Sequence, residues 1–599
     1  MFKMNAKGVV MITKLQFDVF YLLHKRGYLS QREIAEMLDV SLGTVNKTLK
    51  QLKESGLLDE KCCLTEKGKT VLAEYKVDNA IILAAGMSTR FVPISYEFPK
   101  GLTVVKGEVL IERQIRQLQE AGVEEIVVVV GHMLEKFLYL KEKYGVKLVV
   151  NKEYKVKNTH SSVYAAKEYL KNTYICCSDN YYPENLFNSH EYHSLYCAQF
   201  LKGLSRTERG LIFDKNGLIT DTAKPCKDMW TMQGHAYLNR EFNSVFTDIL
   251  DEYYGKPDTK DMYWEGIYAE NLDKLHMYIV KCTDEDILEF DSVENLREFD
   301  PDYIEHNDIK VIQNICKVLN AEPKEIKEIK PIQAGLTNTS FAFTLRGGRY
   351  VYRNPGKNTI GYIDRKREKF ALETAKKLGL DNTYLYEDEN EGWKISYFVN
   401  ITEPFDFTNK SHMEKLCSHL KALHNAGVKY GSEFDYFEEA DKLIERLKIL
   451  DYNAADKIIP LRDRITTLNE SNKKDNWPTV LCHNDIYEPN LLISADNLYV
   501  IDWEYAGDSD PGYDISKLFT SNNAPVEEID KYLAFYFGRL PDKSEKLHIL
   551  RCATINYYYW FVWSIFQDIS GNNCSDWKLL WYEKMNKYYN ETIRLSEEE

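Results

Sequence analysis

His483-Asn484-Asp485-Ile486-Tyr487-Glu488-Pro489-Asn490, followed by Ile501-Asp502-Trp503-Glu504, decides the reading of the C-terminal half. One carboxylate stands five residues before an amide, and a second closes a short apolar run. Phosphoryl transfer needs such a set: a base to orient the attacking hydroxyl, and an Asn and an Asp to hold Mg²⁺ on the ATP phosphates. The runs Leu491-Leu492-Ile493 and Leu498-Tyr499-Val500-Ile501 flank Ser494–Asn497, which predicts a hairpin carrying both metal ligands.

These motifs resemble those of the aminoglycoside-phosphotransferase-like kinases, and within them the bacterial choline kinases. The resemblance implies a bilobal, protein-kinase-like domain with Asp485 as catalytic base and Asn490 and Asp502 as Mg²⁺ ligands. Upstream, Gln333 to Ser340 precedes an alternating Phe341–Leu345 stretch, as a phosphate-covering loop does, with Thr337 and Asn338 at the nucleotide. The next strand, Tyr350 to Gly356, puts Arg353 where most kinases carry an ATP-binding Lys, and the bacterial choline kinases resemble this Arg-x-Pro-Gly pattern. Its acidic partner is expected on the following helix, at Glu368 rather than Glu373. The aromatic segment Tyr557–Gln567 spaces Trp560 and Trp563 three apart, on one face of a helix. Indole faces enclose a quaternary ammonium by cation–π attraction. Glu504, Tyr505 and Tyr513 complete the expected choline site, and the competing reading is a helix buried in an apolar core.

A second enzyme precedes the kinase. Ala80–Gly86 reads as a buried strand turning into a loop, followed by Met87-Ser88-Thr89-Arg90 and Pro99-Lys100. The small residues Ala84, Ala85 and Gly86 that follow Leu83 let backbone N–H groups of this stretch approach a triphosphate, which Arg90 and Lys100 neutralise. The alternation of Ile111–Ala121 with Glu125–Gly131 predicts a doubly wound, Rossmann-like α/β sheet. The pattern resembles that of nucleotidyltransferases, with Ser88 in place of a customary second Gly; a Ser serves there if its φ is negative. By that resemblance Asp179 and Asp291 hold Mg²⁺, and Asn158 and Ser161 seat the nucleotide. The nearest subgroup is the CTP:phosphocholine cytidylyltransferases, and Trp230, Tyr263 and Trp264 then receive the trimethylammonium head. The residues do not distinguish cytosine from uracil.

The N-terminal segment is a different kind of module. Ser30 with Glu33 forms a capping box, and Ser41 caps a second helix with Val45, Leu49 and Leu52 at helical spacing. Gly56–Lys69 is expected to form a β-wing before a last helix. This resembles a winged helix-turn-helix, with Asn46, Lys47 and Lys50 as candidate DNA contacts. Residues 1–76 hold 13 Lys and Arg against 9 Asp and Glu, whereas the whole chain is at −15. A protein-docking role is the alternative.

The expected organisation is a multi-domain α/β and α+β chain: winged helix 1–76, nucleotidyltransferase 77–300, kinase 301–599. No apolar run is long enough to span a membrane, no secretory signal is evident, and the 12 Cys lack metal or disulfide spacing. A cytoplasmic enzyme using ATP, CTP, choline and phosphocholine is the expectation. Two alternatives stay open: an ethanolamine or sugar kinase with a matching nucleotidyltransferase, and a ligand-sensing transcriptional regulator.

Overall fold

The computed structural model describes residues 12–332, 338–356, 362–495, 497–571 and 574–598. The chain divides into two compact units that meet between Gln313 and Asn314.

Unit 1 starts with helices Lys14–Arg26, Gln31–Met37, Leu42–Glu54 and Glu66–Ala73. Thr13, Ser30, Ser41 and Thr65 each cap the helix that follows through a side-chain oxygen. The expected wing is reduced to one bridge between Leu58 and Leu64, because Lys67-Gly68-Lys69 already belong to the last helix. Thr65 Oγ1 accepts from Gly68 N–H at 3.0 Å, and a Cβ at Gly68 would fall 2.3 Å from the Leu57 carbonyl oxygen. That close approach draws the helix start onto the segment that was expected to extend the wing. The helix Lys14–Arg26 faces the rest of unit 1: Phe17 meets Tyr75 and Tyr192, and Tyr192 donates to the Ile12 carbonyl at 2.6 Å. Asn46, Lys47 and Lys50, on Leu42–Glu54, are exposed.

Behind it lies a mixed sheet of nine described strands. Asn79–Ala84 runs at its centre, parallel to both Glu125–Val130 and Thr173–Cys177. Ile81, Leu83, Val127 and Val129 pack into one apolar cluster, and Ala80, Ile82, Ile126 and Val128 into another. Both faces are covered, so these strands read as unbroken apolar runs. The register pairs Leu83 with Cys177, which brings Ala85-Gly86 and Ser178-Asp179 to one edge. Ligands collect at that carboxyl edge in such sheets.

Unit 2 opens with an antiparallel sheet ordered Lys327–Ile332, Thr339–Leu345, Gly348–Asn354, Lys394–Tyr397, Tyr384–Glu387. Arg353 pairs with Lys394 across it, and the helix Arg365–Lys377 follows. A helical lobe comes next, with the hairpin Leu491–Ser494/Asn497–Val500 and the long helices Lys543–Ile569 and Ser575–Glu597. The loop containing Gly335 and Thr337 lies outside the described residues.

Candidate active sites

In unit 1, Lys100 anchors the first site. Its Nζ lies 2.8 Å from Asp179 Oδ2 and 3.8 Å from Glu289 Oε1. Gly101 sits so close to Ser178 that a Cβ would fall 2.7 Å from its Oγ, and this contact places Lys100 beside Asp179. Burial disfavours the Lys100 charge, but Asp179, Glu289 and Asp291 outweigh it and hold the pKa above the ordinary value. Burial, reinforced by Asp179, pushes Glu289 up to about 7. Asp179 stays below its usual range because Lys100 overcomes the effect of burial. Arg90 and Asp291 are open, 71% and 66% exposed, with 3.9 Å between Nη2 and Oδ1. They are free to turn toward a ligand. Asp179, Glu289 and Asp291 form a set of hard oxygen donors around one ammonium, a set suited to a divalent cation.

Ser88 takes φ +49°, so the condition of a negative φ is not met: the Ser occupies a left-handed position itself. Asn158 caps the helix Thr159–Ala165, its Oδ1 accepting from Thr159 N–H at 2.8 Å. Ser161 is buried and donates to the Asn158 carbonyl at 2.7 Å while accepting from Asn151. Both are committed to the fold around the loop. Trp230 meets Phe200 edge-on, with Lys281 5.4 Å from its ring. Tyr263 is 50% exposed. Trp264 is 2% exposed and packs on Tyr196 and Phe246, which places it in the core of unit 1.

In unit 2, Asn490 Nδ2 donates to the Asp485 carboxylate at 3.1 Å and to its carbonyl at 3.0 Å. The His483 ring fixes this loop. Its Nδ1 accepts from Asp485 N–H at 3.1 Å, so its Nε2 carries the proton and donates to the Ile501 carbonyl at 3.0 Å. The base is thereby tied to the strand end that bears Asp502. Asp514 accepts the His483 and Asn484 amides, each at 2.8 Å. Asn484 and Asp502 both adopt positive φ, 66° and 67°. Burial pushes Asp485 up to about 8, with Asp502 and Glu504 adding to it and Lys517 opposing. Closely spaced acids of this kind fit a divalent cation, with Asp502 and Asn490 offering oxygens.

Arg353 joins four acids: Glu368 at 2.7 Å, Asp502 at 3.0 Å, Glu387 at 3.6 Å and Glu504 at 3.7 Å. Its own pKa stands above the ordinary value: burial opposes the charge, and the four acids prevail. Glu504 Oε2 also accepts from Asn338 at 3.0 Å and lies 3.5 Å from Arg365. The acid expected at the choline head is thus already engaged by the arginines.

The aromatic residues close on one another. Trp560 is 7% and Trp563 3% exposed, and their rings meet edge to face at 5.6 Å. Tyr505 meets Trp560 edge-on at 5.2 Å, and Tyr513 packs on Tyr436 at 4.5 Å. These residues belong to the core of unit 2. Lys517 brings an ammonium to 5.1 Å from the Tyr557 ring and 5.9 Å from Trp560, so the faces already receive one cation.

Residues 80–179 match the MobA-like NTP transferase domain, 329–535 the choline/ethanolamine kinase family, and 12–59 the winged helix-turn-helix DNA-binding domain. The choline-phosphate cytidylyltransferase of Streptococcus pneumoniae is 33% identical over 37% of this chain and 96% of its own. The chain belongs to the cytidylyltransferases of that group. The 2-aminoethylphosphonate cytidylyltransferase of Lancefieldella rimae is 34% identical over 38% of this chain and 93% of its own. The structure of the choline kinase LicA from Streptococcus pneumoniae shares 24% identity, covering 47% of this chain and 98% of that one, with a TM-score of 0.41. A winged helix, a cytidylyltransferase and a choline/ethanolamine kinase are therefore fused in one chain.

Several residues of these domains escaped the sequence reading. In the cytidylyltransferase, Glu289 has a readable signal in its spacing, two residues before Asp291, although the strand itself ends at Glu289. In the kinase, Glu387, Asp514 and Lys517 have none, because only the fold brings them to Arg353, to the His483 and Asn484 amides and to Asp485; Arg365 had one, standing three residues before Glu368 on one helix. Trp581, 5.6 Å from Trp560 and 5.9 Å from Trp563, had one in its spacing from Trp577.

Proposed function

We propose that this chain makes CDP-choline in two steps. In the first, Asp485 orients the choline hydroxyl toward the γ-phosphorus of ATP and takes its proton; ADP and phosphocholine result. Arg353, with Glu368 behind it, aligns the nucleotide phosphates. Mg²⁺ held by Asp502 and Asn490 would neutralise the transferring phosphoryl group. In the second step a phosphocholine oxygen attacks the α-phosphorus of CTP directly, and pyrophosphate leaves. Lys100 and Arg90 stabilise the charge that gathers on the phosphates. Asp179 and Asp291 would hold Mg²⁺, which would supply further positive charge at the phosphates.

The observation that supports this reading is the occurrence of two clusters in one chain: Asp485, Asn490 and Asp502 in one unit, Lys100 and Asp179 in the other. A sensor has no need of either set. A second reading, with a primary amine in place of the trimethyl head, is favoured by the equal identity to a cytidylyltransferase named for 2-aminoethylphosphonate. A ³¹P NMR time course with ATP, CTP, Mg²⁺ and either choline or ethanolamine separates them. Phosphocholine followed by CDP-choline is the expected sequence, with Asp485→Ala abolishing the first signal and Lys100→Ala the second.

The enzyme would work in the cytoplasm, where both nucleotides are found. Its winged helix would bind DNA through Asn46, Lys47 and Lys50, all exposed. A gel shift on DNA from upstream of its own coding sequence tests this; no shift at low salt refutes it.

A further inference from the structure

The loop that carries Lys100 is held on both flanks by a segment from the far end of unit 1. Glu97, three residues before Lys100, accepts from the Lys310 and Val311 amides at 3.0 and 2.8 Å. Val104, four residues after it, exchanges two hydrogen bonds with Asn307: its N–H donates to Oδ1 and its carbonyl accepts from Nδ2, each at 2.8 Å. Lys106, at the positive-φ turn of the hairpin Val104–Val105/Glu108–Val109, donates its N–H to Asp300 Oδ2 at 2.7 Å. Residues 300–311 thus lie as a strap across both sides of one lysine, and Asp300 and Asn307 are buried in it.

The strap begins where the acidic half of the site ends. Glu289 and Asp291 act on Lys100, and the helix Val293–Phe299 follows them directly. Phe299 packs on Tyr181 at 5.3 Å, two residues beyond Asp179. The acids and the lysine they surround are therefore joined through this segment. A lysine ammonium sits on a flexible stem, so its place depends on the backbone from which it extends. A segment that only covered apolar surface would meet that backbone with apolar side chains. Here carboxylate and amide groups are aimed at the main-chain polar groups on each side of Lys100, or at the strap's own amides from Glu97.

We propose that Glu97 and Asn307 are positioning residues for the cytidylyl step. They act through Lys100, by fixing the loop from which its ammonium reaches Asp179 and the nucleotide phosphates. This rests on the cytidylyltransferase activity read above, and it extends that site past residue 300, toward the kinase match that begins at 329. Neither residue meets the phosphates. A misplacement of about 1 Å in the group that does can cost about 100-fold in rate.

The test is pyrophosphate release from CTP and phosphocholine by the full chain and its Glu97→Ala, Glu97→Gln and Asn307→Asp variants. Glu97→Ala removes both acceptors and should lower kcat about tenfold or more, with both KM values within about twofold. Glu97→Gln keeps one acceptor oxygen and should recover to within about threefold of wild type. Asn307→Asp sets a carboxylate oxygen against the Val104 carbonyl and should fall with Glu97→Ala. Choline-dependent ADP formation, in the same preparations, should not change. An unchanged kcat in Glu97→Ala overturns the inference. So does a fall in kcat that comes with higher KM values for both substrates and a lower melting temperature, since that marks a tie holding only the fold. If wild type releases no pyrophosphate with phosphocholine, phosphoethanolamine or 2-aminoethylphosphonate, the cytidylyltransferase reading fails first and the positioning role with it.

Discussion

Arg353→Lys is the substitution that most sharply tests the kinase site. Most kinases use Lys at this position, so a reading from charge alone expects the change to be harmless. The geometry says otherwise. Arg353 reaches Glu368 with one prong at 2.7 Å and Asp502 with the other at 3.0 Å. A Lys ammonium is a point charge on a flexible stem and cannot span both acids. One charge-assisted hydrogen bond is lost, about 1.5–3 kcal/mol. If that loss falls on the transition state, kcat/KM for ATP drops roughly 10- to 150-fold. Arg353→Met should do worse, since it takes from the fully buried Glu368 one of its cations and leaves Arg365 at 2.6 Å and Lys394 at 3.4 Å; with these remaining, the stability cost should stay below about 3–5 kcal/mol, that of a buried acid left without a partner. Choline-dependent ADP formation measures the loss. Pyrophosphate release from CTP and phosphocholine, in the same preparation, is the internal control and should not change. A Lys variant within twofold of wild type in kcat/KM for ATP would refute the argument that the fork is required.

Trp560→Phe should raise the KM for choline roughly 2- to 30-fold, the range spanned by a single cation–π contact, and leave the KM for ATP alone; equal KM values for choline would place that indole in the core only. Ser88→Gly relieves a left-handed Ser at φ +49°, worth about 1–2 kcal/mol, against about 0.5–1 kcal/mol of added chain entropy. The melting temperature of unit 1 should therefore hold or rise and CTP turnover should persist; a tenfold loss would mean that the hydroxyl itself is used. His235 is buried, which depresses its pKa from 6.5 to about 3. The unfolded chain then binds the proton more tightly, so stability is full above pH 6.5 and falls as pH drops toward 3. About 2 kcal/mol should be lost by pH 5, and denaturant titrations of His235→Asn should show a flatter pH dependence.

The catalytic loops were legible because their chemistry is local: Asp485, Asn490 and Asp502 sit within one loop and hairpin, and Ala85-Gly86 follows directly from its strand. What the sequence could not carry is the partner supplied from elsewhere. Asp514 holds the amides of His483 and Asn484 from 30 residues away, and Glu387 comes to Arg353 across a sheet. The exposure of aromatic residues was hidden for another reason. Trp264 and Tyr263 are neighbours of the same chemical type, yet one is buried and the other half exposed, and periodicity over two residues cannot tell them apart. The wing was misread because Thr65 and Gly68 together form a helix start, a signal masked by the β-like Cys63-Leu64-Thr65 before it.

On the proposed choline kinase reading, selectivity should lie with aromatic groups rather than with an acid. Burial and Asp502 push Glu504 up to about 7, and Asn338 and Arg365 already engage its carboxylate. Lys517 stands at the Tyr557 and Trp560 rings, so a choline head would have to share or displace that ammonium. Aromatic faces favour a large, weakly hydrated trimethylammonium over a primary amine. Choline should therefore exceed ethanolamine in kcat/KM, and Trp560→Phe should narrow the ratio. Equal kcat/KM values for the two alcohols in the wild type would mean that the aromatic faces of unit 2 do not read the head.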